Sequence, residues 1–330
     1  MHLLSAKRMI FITLIMIPLN ACIEDKKLHN PIYTIQKETI PKTGPGVIFH
    51  YNFDSLEHRS NKAEICLHLK IFNSPEGKCE IYSDVEIIDR AEKNKSLRLY
   101  QNKHQMNNRY IIKLETPIFE DHEELYVGYW IRFSDNFSFG KGGKLPGGLI
   151  GIEKGKPYPA HGNEVTRDSG FSVRSMFYTR GYWNREQDVN RYPQLYTYIY
   201  HEDMEGRSGD KTSYRLGGYP LDFLRKSIDS HISRSTTSMA EFFKPGYFIV
   251  TRVKMNSYKN NDGLVEVFIN GKNVIHNDNY SFSYSKKYGI NKATFSFFYG
   301  GNINWKPYTS DKDKSYIEID DIILSTAMIE

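Results

Sequence analysis

Short runs of β-forming residues, cut apart by clusters of Gly, Pro, Asn and Asp, constrain this chain more than any other feature. Val47–Phe53, Leu97–Tyr100, Tyr110–Leu114, Leu125–Phe133, Phe171–Tyr178, Leu195–Tyr200, Tyr247–Met255, Leu264–Asn270, Thr294–Phe298 and Tyr316–Leu324 all read as strands. Asn270-Gly271, placed between Val265–Ile269 and Asn273–Ile275, is the dipeptide of a two-residue hairpin. Only Leu221–Ser230 and Met239–Phe243 read as helices, and both are short. Many short strands with turn signals point to an all-β sandwich of two antiparallel sheets. No internal repeat and no second boundary follow residue 47, so residues 47–330 are read as one domain.

The N-terminus has a different texture. Lys7 and Arg8 precede an apolar run from Met9 to Leu19 that is too short for an ordinary membrane span, and Leu19-Asn20-Ala21-Cys22 follows. The pattern is that of a secretory signal over residues 1–21, and the cysteine after Ala21 resembles a bacterial lipobox. That resemblance implies cleavage before Cys22, lipid on its thiol, and an exported lipoprotein held at the outer membrane. Residues 22–46 are polar, carry Pro31, Pro41 and Pro45, and read as a flexible tether. The formal charge of +5 falls to +3 once Lys7 and Arg8 leave with the signal. With no long basic run, nucleic acid is not an expected partner, and a monomer is expected. Cys66 and Cys79 then remain as an even pair in an oxidising compartment, where pairing is expected.

Gly142 to Gly151 concentrates five glycines and Pro146 around the single cation Lys144. It reads as a rigid loop rather than a regular strand or long helix, holding Lys144 in a defined place. Two strands near it have unlike faces, because alternate side chains point to opposite sides. Phe171, Val173 and Phe177 fall on one face, and Ser172, Arg174 and Met176 on the other. Leu195, Thr197 and Ile199 likewise oppose Tyr196, Tyr198 and Tyr200. Each strand thus pairs an apolar face with one bearing hydroxyls, phenols and a guanidinium.

Taken in order, Gly142-Gly143-Lys144-Leu145-Pro146-Gly147, Ser172-Val173-Arg174 and Tyr196-Thr197-Tyr198 resemble polysaccharide lyase family 14, the alginate and polyuronate lyases, and the related glucuronan lyases. Phe297-Phe298-Tyr299-Gly300-Gly301, Trp305 and Ile319-Asp320-Asp321-Ile322-Ile323 resemble the closing segments of the same folds. The resemblance implies a β-jelly roll whose concave sheet binds an anionic polysaccharide and cleaves it by β-elimination. Carried over residue by residue, it implies Lys144, Ser172, Arg174, Tyr196 and Tyr198 as the catalytic group, and Gly143, Tyr200, His201 and Trp305 as substrate contacts. The segments Lys154–Arg167 and Tyr182–Tyr192 are longer than usual in that family. Tyr200 extends the tyrosine row, so the pair reads as Tyr196 with Tyr198 or as Tyr198 with Tyr200.

The chemistry asks for these residue types. Cleaving a uronate removes the proton on C5, beside the carboxylate, and expels the 4-linked sugar. A cation against the carboxylate stabilises the developing enolate. Lys144 and Arg174 supply such charge, Arg as a fork matched to a carboxylate. A phenol near two cations has its phenolate favoured, so the sequence assigns the base to Tyr198, with Tyr196 or the same phenol returning a proton. Ser172 orients the carboxylate or a tyrosine. No cluster with metal-ligand spacing is evident and no cofactor is implied, although a structural Ca²⁺ is compatible with the sequence. A glycoside hydrolase would need two carboxylates across the scissile bond. Glu318-Ile319-Asp320 comes nearest to the Glu-x-Asp-x-x-Glu strand of sandwich hydrolases and lacks its second glutamate. The alternative function is a carbohydrate-binding surface lipoprotein without catalysis.

The lipobox reading makes a direct prediction. Expressed in a bacterial host, the wild-type chain partitions with membranes and its mature N-terminal peptide carries a lipidated Cys22. Cys22→Ala abolishes that peptide and moves the protein out of the membrane fraction.

Overall fold

The β-rich runs close into two antiparallel sheets facing one another. The computed structural model describes residues 45–69, 77–91, 94–101, 110–134, 137, 142–156, 159, 169–179, 193–203, 246–299 and 315–329. The signal segment, Cys22, residues 23–44, Trp305 and the two expected helices Leu221–Ser230 and Met239–Phe243 lie outside the described residues. In chain order the elements are β1 (Val47–Tyr51), α1 (Lys62–Leu69), β2 (Lys78–Ile81), β3 (Val85–Ala91), β4 (Asn94–Tyr100), β5 (Tyr110–His122), β6 (Glu124–Phe133), β7 (Gly142–Lys144), β8 (Gly148–Ile152), β9 (Gly170–Thr179), β10 (Pro193–Tyr200), β11 (Tyr247–Lys254), β12 (Gly263–Ile269), β13 (Lys272–Tyr280), β14 (Ile290–Thr294), β15 (Phe297–Tyr299) and β16 (Tyr316–Ser325).

The first sheet runs β13-β12-β11-β6-β16-β4-β3, with β1 also on β16. The second runs β10-β9-β7-β15-β5-β14-β8, with β2 on β5 and an extra β8–β9 pairing. The inward faces meet in one continuous apolar core that takes Leu125, Val127, Tyr129 and Ile131 from β6, and Phe171, Val173 and Phe177 from β9. The alternation read along Phe171–Phe177 therefore has a physical cause: the odd-numbered apolar side chains fill the space between the sheets. Asn270 and Gly271 both have positive φ, at 50° and 75°, as a type I′ turn between β12 and β13 requires.

Three expectations are corrected. The Gly142–Gly151 stretch is two short strands, β7 and β8, around a turn at Leu145–Gly147, rather than a loop throughout. Backbone pairing with β9, β14 and β15 satisfies its N–H and C=O groups, and that demand outweighs glycine's poor strand propensity. The run Thr294–Phe298 is broken: β14 ends at Thr294 and β15 begins at Phe297. The helix α1 was not expected from periodicity, since it buries only Ile65, Cys66 and Leu69. Its start is nonetheless encoded in a capping box. Asn61 Oδ1 accepts from Ala63 N and Glu64 N, and Glu64 Oε2 accepts from Asn61 N. The helix is fastened to β2 by the disulfide between Cys66 and Cys79, whose Cα atoms lie 5.5 Å apart. In the chain-entropy model, closing so short a loop contributes about 3 kcal/mol.

The outer face of the first sheet is laced by ion pairs. Glu318 is wholly buried and accepts from Arg98 Nε and Nη2 at 3.0 and 2.7 Å and from Arg132 Nε and Nη2 at 2.6 and 2.8 Å. Asp320 accepts from Arg90, whose guanidinium lies 3.2 Å from the centroid of the Trp130 ring. Both carboxylates of the Glu318-Ile319-Asp320 segment are thus committed to arginines. Removing Glu318 leaves two arginines facing each other over a site emptied of its counter-charge. Glu318→Ala is expected to destabilise the fold by about 3–5 kcal/mol, measured by denaturant unfolding.

Candidate active site

The site is built across the outer face of the second sheet by register. Arg174 on β9 lies opposite Tyr198 on β10, and Ser172 lies opposite Tyr200. Lys144 on β7 lies between Met176 on β9 and Phe298 on β15. On the far side, Glu115 on β5 faces Thr294 on β14, and Thr294 faces Gly148 on β8. Glu115, Thr294, Gly148, Arg174 and Tyr198 therefore succeed one another across the strands.

Gly148 makes the row compact. A Cβ there would lie 2.7 Å from Thr294 Cγ2 and 3.2 Å from Arg174 Cγ, so any side chain would push the two apart. Gly147, at φ +84°, turns the chain back, and a Cβ there would lie 2.5 Å from the Tyr129 ring. The turn is fastened on both sides: Leu145 N donates to Ser175 O at 2.9 Å and Gly147 N donates to Thr294 O at 3.1 Å.

Lys144 ends over two aromatic faces. Its Nζ is 5.1 Å from the Tyr198 ring centroid and 4.9 Å from that of Phe298. No ion pair to Lys144 occurs among the described residues. Burial, and then the Arg174 charge, push its ammonium down to about 7. Beside it opens a cleft lined by Glu115, Lys144, Leu145, Arg174, Thr294, Ser296 and Phe298. Tyr200 Oη donates to Tyr198 Oη at 3.2 Å, and the two rings meet edge to face at 5.1 Å. That bond leaves the proton of Tyr198 directed away from Tyr200.

The structure thus brings Lys144, Arg174 and Tyr198 together, with Tyr200 buried behind Tyr198. Tyr196 lies on the same strand one residue pair along, opposite Met176. Ser172 shares the face but is fully buried, and its hydroxyl donates to Pro159 O at 3.0 Å. His201 is buried with its ring against Tyr280 of the first sheet, 5.2 Å between centroids, so it is not brought to the cleft. Gly143 faces inward, where a Cβ would meet Phe298 O and the Phe177 ring; it serves packing rather than contact in the cleft. Glu115, Thr294, Ser296 and Phe298 were not singled out from sequence. Glu115, Thr294 and Phe298 sit in ordinary strands and Ser296 in the break between β14 and β15, and only sheet register places them beside Lys144.

Among the described residues no group of His, Cys, Asp and Glu side chains is placed to hold a metal ion. Two cations beside phenols, on one sheet face, are suited to binding an anion and moving protons next to it.

The family model for Polysaccharide lyase 14 matches residues 93–318. Among solved structures, the chain is similar to a double mutant of the alginate lyase Aly36B in complex with an alginate trisaccharide, at 18% identity over 86% of this chain and 99% of that one, with a TM-score of 0.58. It is also similar to the PL-14 alginate lyase from Aplysia kurodai, at 17% identity over 85% and 99% of the two chains, with a TM-score of 0.56. No curated protein matches the sequence. At these identities the solved structures speak to the shared fold, the β-sandwich expected from the strand pattern and the jelly roll implied by the resemblance. The family match spans well over half the sequence and includes Lys144, Arg174 and Tyr198, so the chain belongs to the polysaccharide lyase 14 family and is a polysaccharide lyase.

Proposed function

We propose that this lyase cleaves a polyuronate by β-elimination in the cleft beside Lys144, with alginate the first substrate to test. The observation that carries the reading is the Lys144 ammonium, held down to about 7 by burial and Arg174 at the mouth of a cleft shared with that arginine. The similar Aly36B structure, with its alginate trisaccharide, supports the choice of substrate class.

Arg174 stays charged throughout and faces the uronate carboxylate, which makes the C5 proton more acidic by stabilising the enolate. Near neutral pH a large share of Lys144 is free amine. That amine takes the C5 proton, the electron pair forms the C4–C5 double bond, and the C4–O4 bond breaks. The Tyr198 phenol, oriented by the bond from Tyr200, gives its proton to the departing oxygen. The sequence assigns the base to Tyr198. The lowered lysine supports Lys144 in that step and Tyr198 as the acid. Ser172, closed under Pro159, acts through the shape of β9 rather than on the sugar. Phe298 supplies the second aromatic face over Lys144.

The reading is tested by pH. Unsaturated product, followed by its absorbance, should appear with a kcat/KM that rises as pH increases through about 7, because the free enzyme must lose the Lys144 proton. Lys144→Arg, a permanent cation, should lose turnover by about a thousandfold or more; a variant that keeps activity and the same pH limb would sink the base assignment. Tyr198→Phe should lose kcat while oligouronate binding persists. The stability sign runs the same way. Lys144 holds its proton less tightly folded than unfolded, so its contribution to stability rises as pH goes from about 7 toward the ordinary lysine range.

Gly148→Ala tests the row itself. Its Cβ displaces Thr294 or Arg174, and we expect kcat/KM to fall roughly 10–100-fold while the melting temperature drops only a few degrees.

A further inference from the structure

Glu115 is a carboxylate inside a site otherwise built from cations and aromatics, and the elimination leaves it without a task. It is half-buried on β5 and lines the same cleft as Lys144 and Arg174. No hydrogen bond or ion pair engages its carboxylate among the described residues. Three strand steps separate it from Arg174 along the row, with Thr294 and Gly148 between. Thr294 Oγ1 and Ser296 Oγ, 3.1 Å apart, stand between the acid and the cations.

A cleft with cations at one end, hydroxyls in the middle and an unneutralised carboxylate at the other complements one kind of ligand. A pyranuronate ring has its carboxylate on one edge and its free hydroxyls on the opposite edge. With the carboxylate turned to Arg174 and Lys144, the hydroxyl edge turns to Thr294, Ser296 and Glu115. An ionised carboxylate accepts hydrogen bonds and offers none. It therefore favours rings that present O–H donors and repels any that present a second anion, a device for exclusion as much as for affinity.

We propose that Glu115 sets the substrate class of this lyase, admitting uronates with free ring hydroxyls and rejecting those carrying a sulfate ester on the edge that enters the cleft. The proposal rests on the uronate site described above.

The test compares an unsubstituted polyuronate with the same polymer after partial O-sulfation, matched in chain length. Wild type, Glu115→Gln and Glu115→Asp are assayed for kcat and KM, and for binding by calorimetry. Wild type should prefer the unsubstituted polymer by about tenfold or more. Glu115→Gln keeps the shape and loses the charge. It should raise KM on the unsubstituted polymer and narrow the preference by about tenfold. Glu115→Asp keeps the charge and should keep the rejection of sulfate. A Glu115→Gln enzyme with the wild-type ratio, or a wild type with no preference, overturns the role of Glu115 and leaves the elimination site standing. Failure of the wild type to form unsaturated product from any polyuronate overturns the site reading. In that case the calorimetric ratio for the two polymers decides on Glu115, and absence of binding to either removes both.

Discussion

The desolvated charge of Lys144 is the constraint around which the rest of the site is arranged. A lone ammonium under two aromatic rings and beside a guanidinium is costly, and no counter-ion among the described residues relieves it. The fold can hold it there because β7 is pinned on both edges, by β9 and by β15, and because the turn after it is tied to Ser175 and Thr294. In the proposed reaction a bound polyuronate relieves the cost, so that binding energy and catalytic readiness draw on the same arrangement.

The two sheets divide the work. The first sheet carries paired charges. Its outer face closes its charges on each other, with Glu318 between Arg98 and Arg132 and Glu266 bonded to Arg252 and His276. Tyr126, Trp130, Phe248 and Ile323 form a second apolar cluster on the same side. The second sheet gathers Lys144, Arg174 and Glu115 around the cleft. The same residue types thus have opposite meanings on the two faces. Arginine beside a carboxylate holds the first sheet together, and arginine beside a lysine lines the candidate site on the second. The Glu318-Ile319-Asp320 segment illustrates the point: two carboxylates with a hydrolase-like spacing are spoken for by arginines on the sheet away from the cleft.

Glycine is informative here for what it keeps out. At Gly148 the missing side chain lets Thr294 and Arg174 approach, and at Gly147 it lets the turn rest on Tyr129 from the opposite sheet. The Gly/Pro texture of this stretch marks a place where backbones come close, which a strand pair achieves as well as a loop does.

By itself the sequence determined the class of fold, because period-two alternation of apolar residues has one stable outcome, a sheet with a buried face. It also picked out three groups that the fold brings together at the candidate site. Lys144 sits in a conspicuous glycine-rich stretch, and alternation puts Arg174 on the face opposite Phe171 and Val173, and Tyr198 on the face opposite Thr197 and Ile199. The capping box at Asn61 and Glu64 was there to be read, but the short, weakly periodic helix behind it hid the signal. Only the tertiary structure decided the rest. Ser172 and His201 have the right chemistry in the right strands, yet one is closed under Pro159 and the other turns in to Tyr280, because burial depends on what packs above a residue rather than on its own strand. Glu115, Thr294 and Phe298 enter the site through pairings between strands far apart in sequence. Local pattern cannot carry that information, since register between distant strands is fixed by the packing of the whole sandwich.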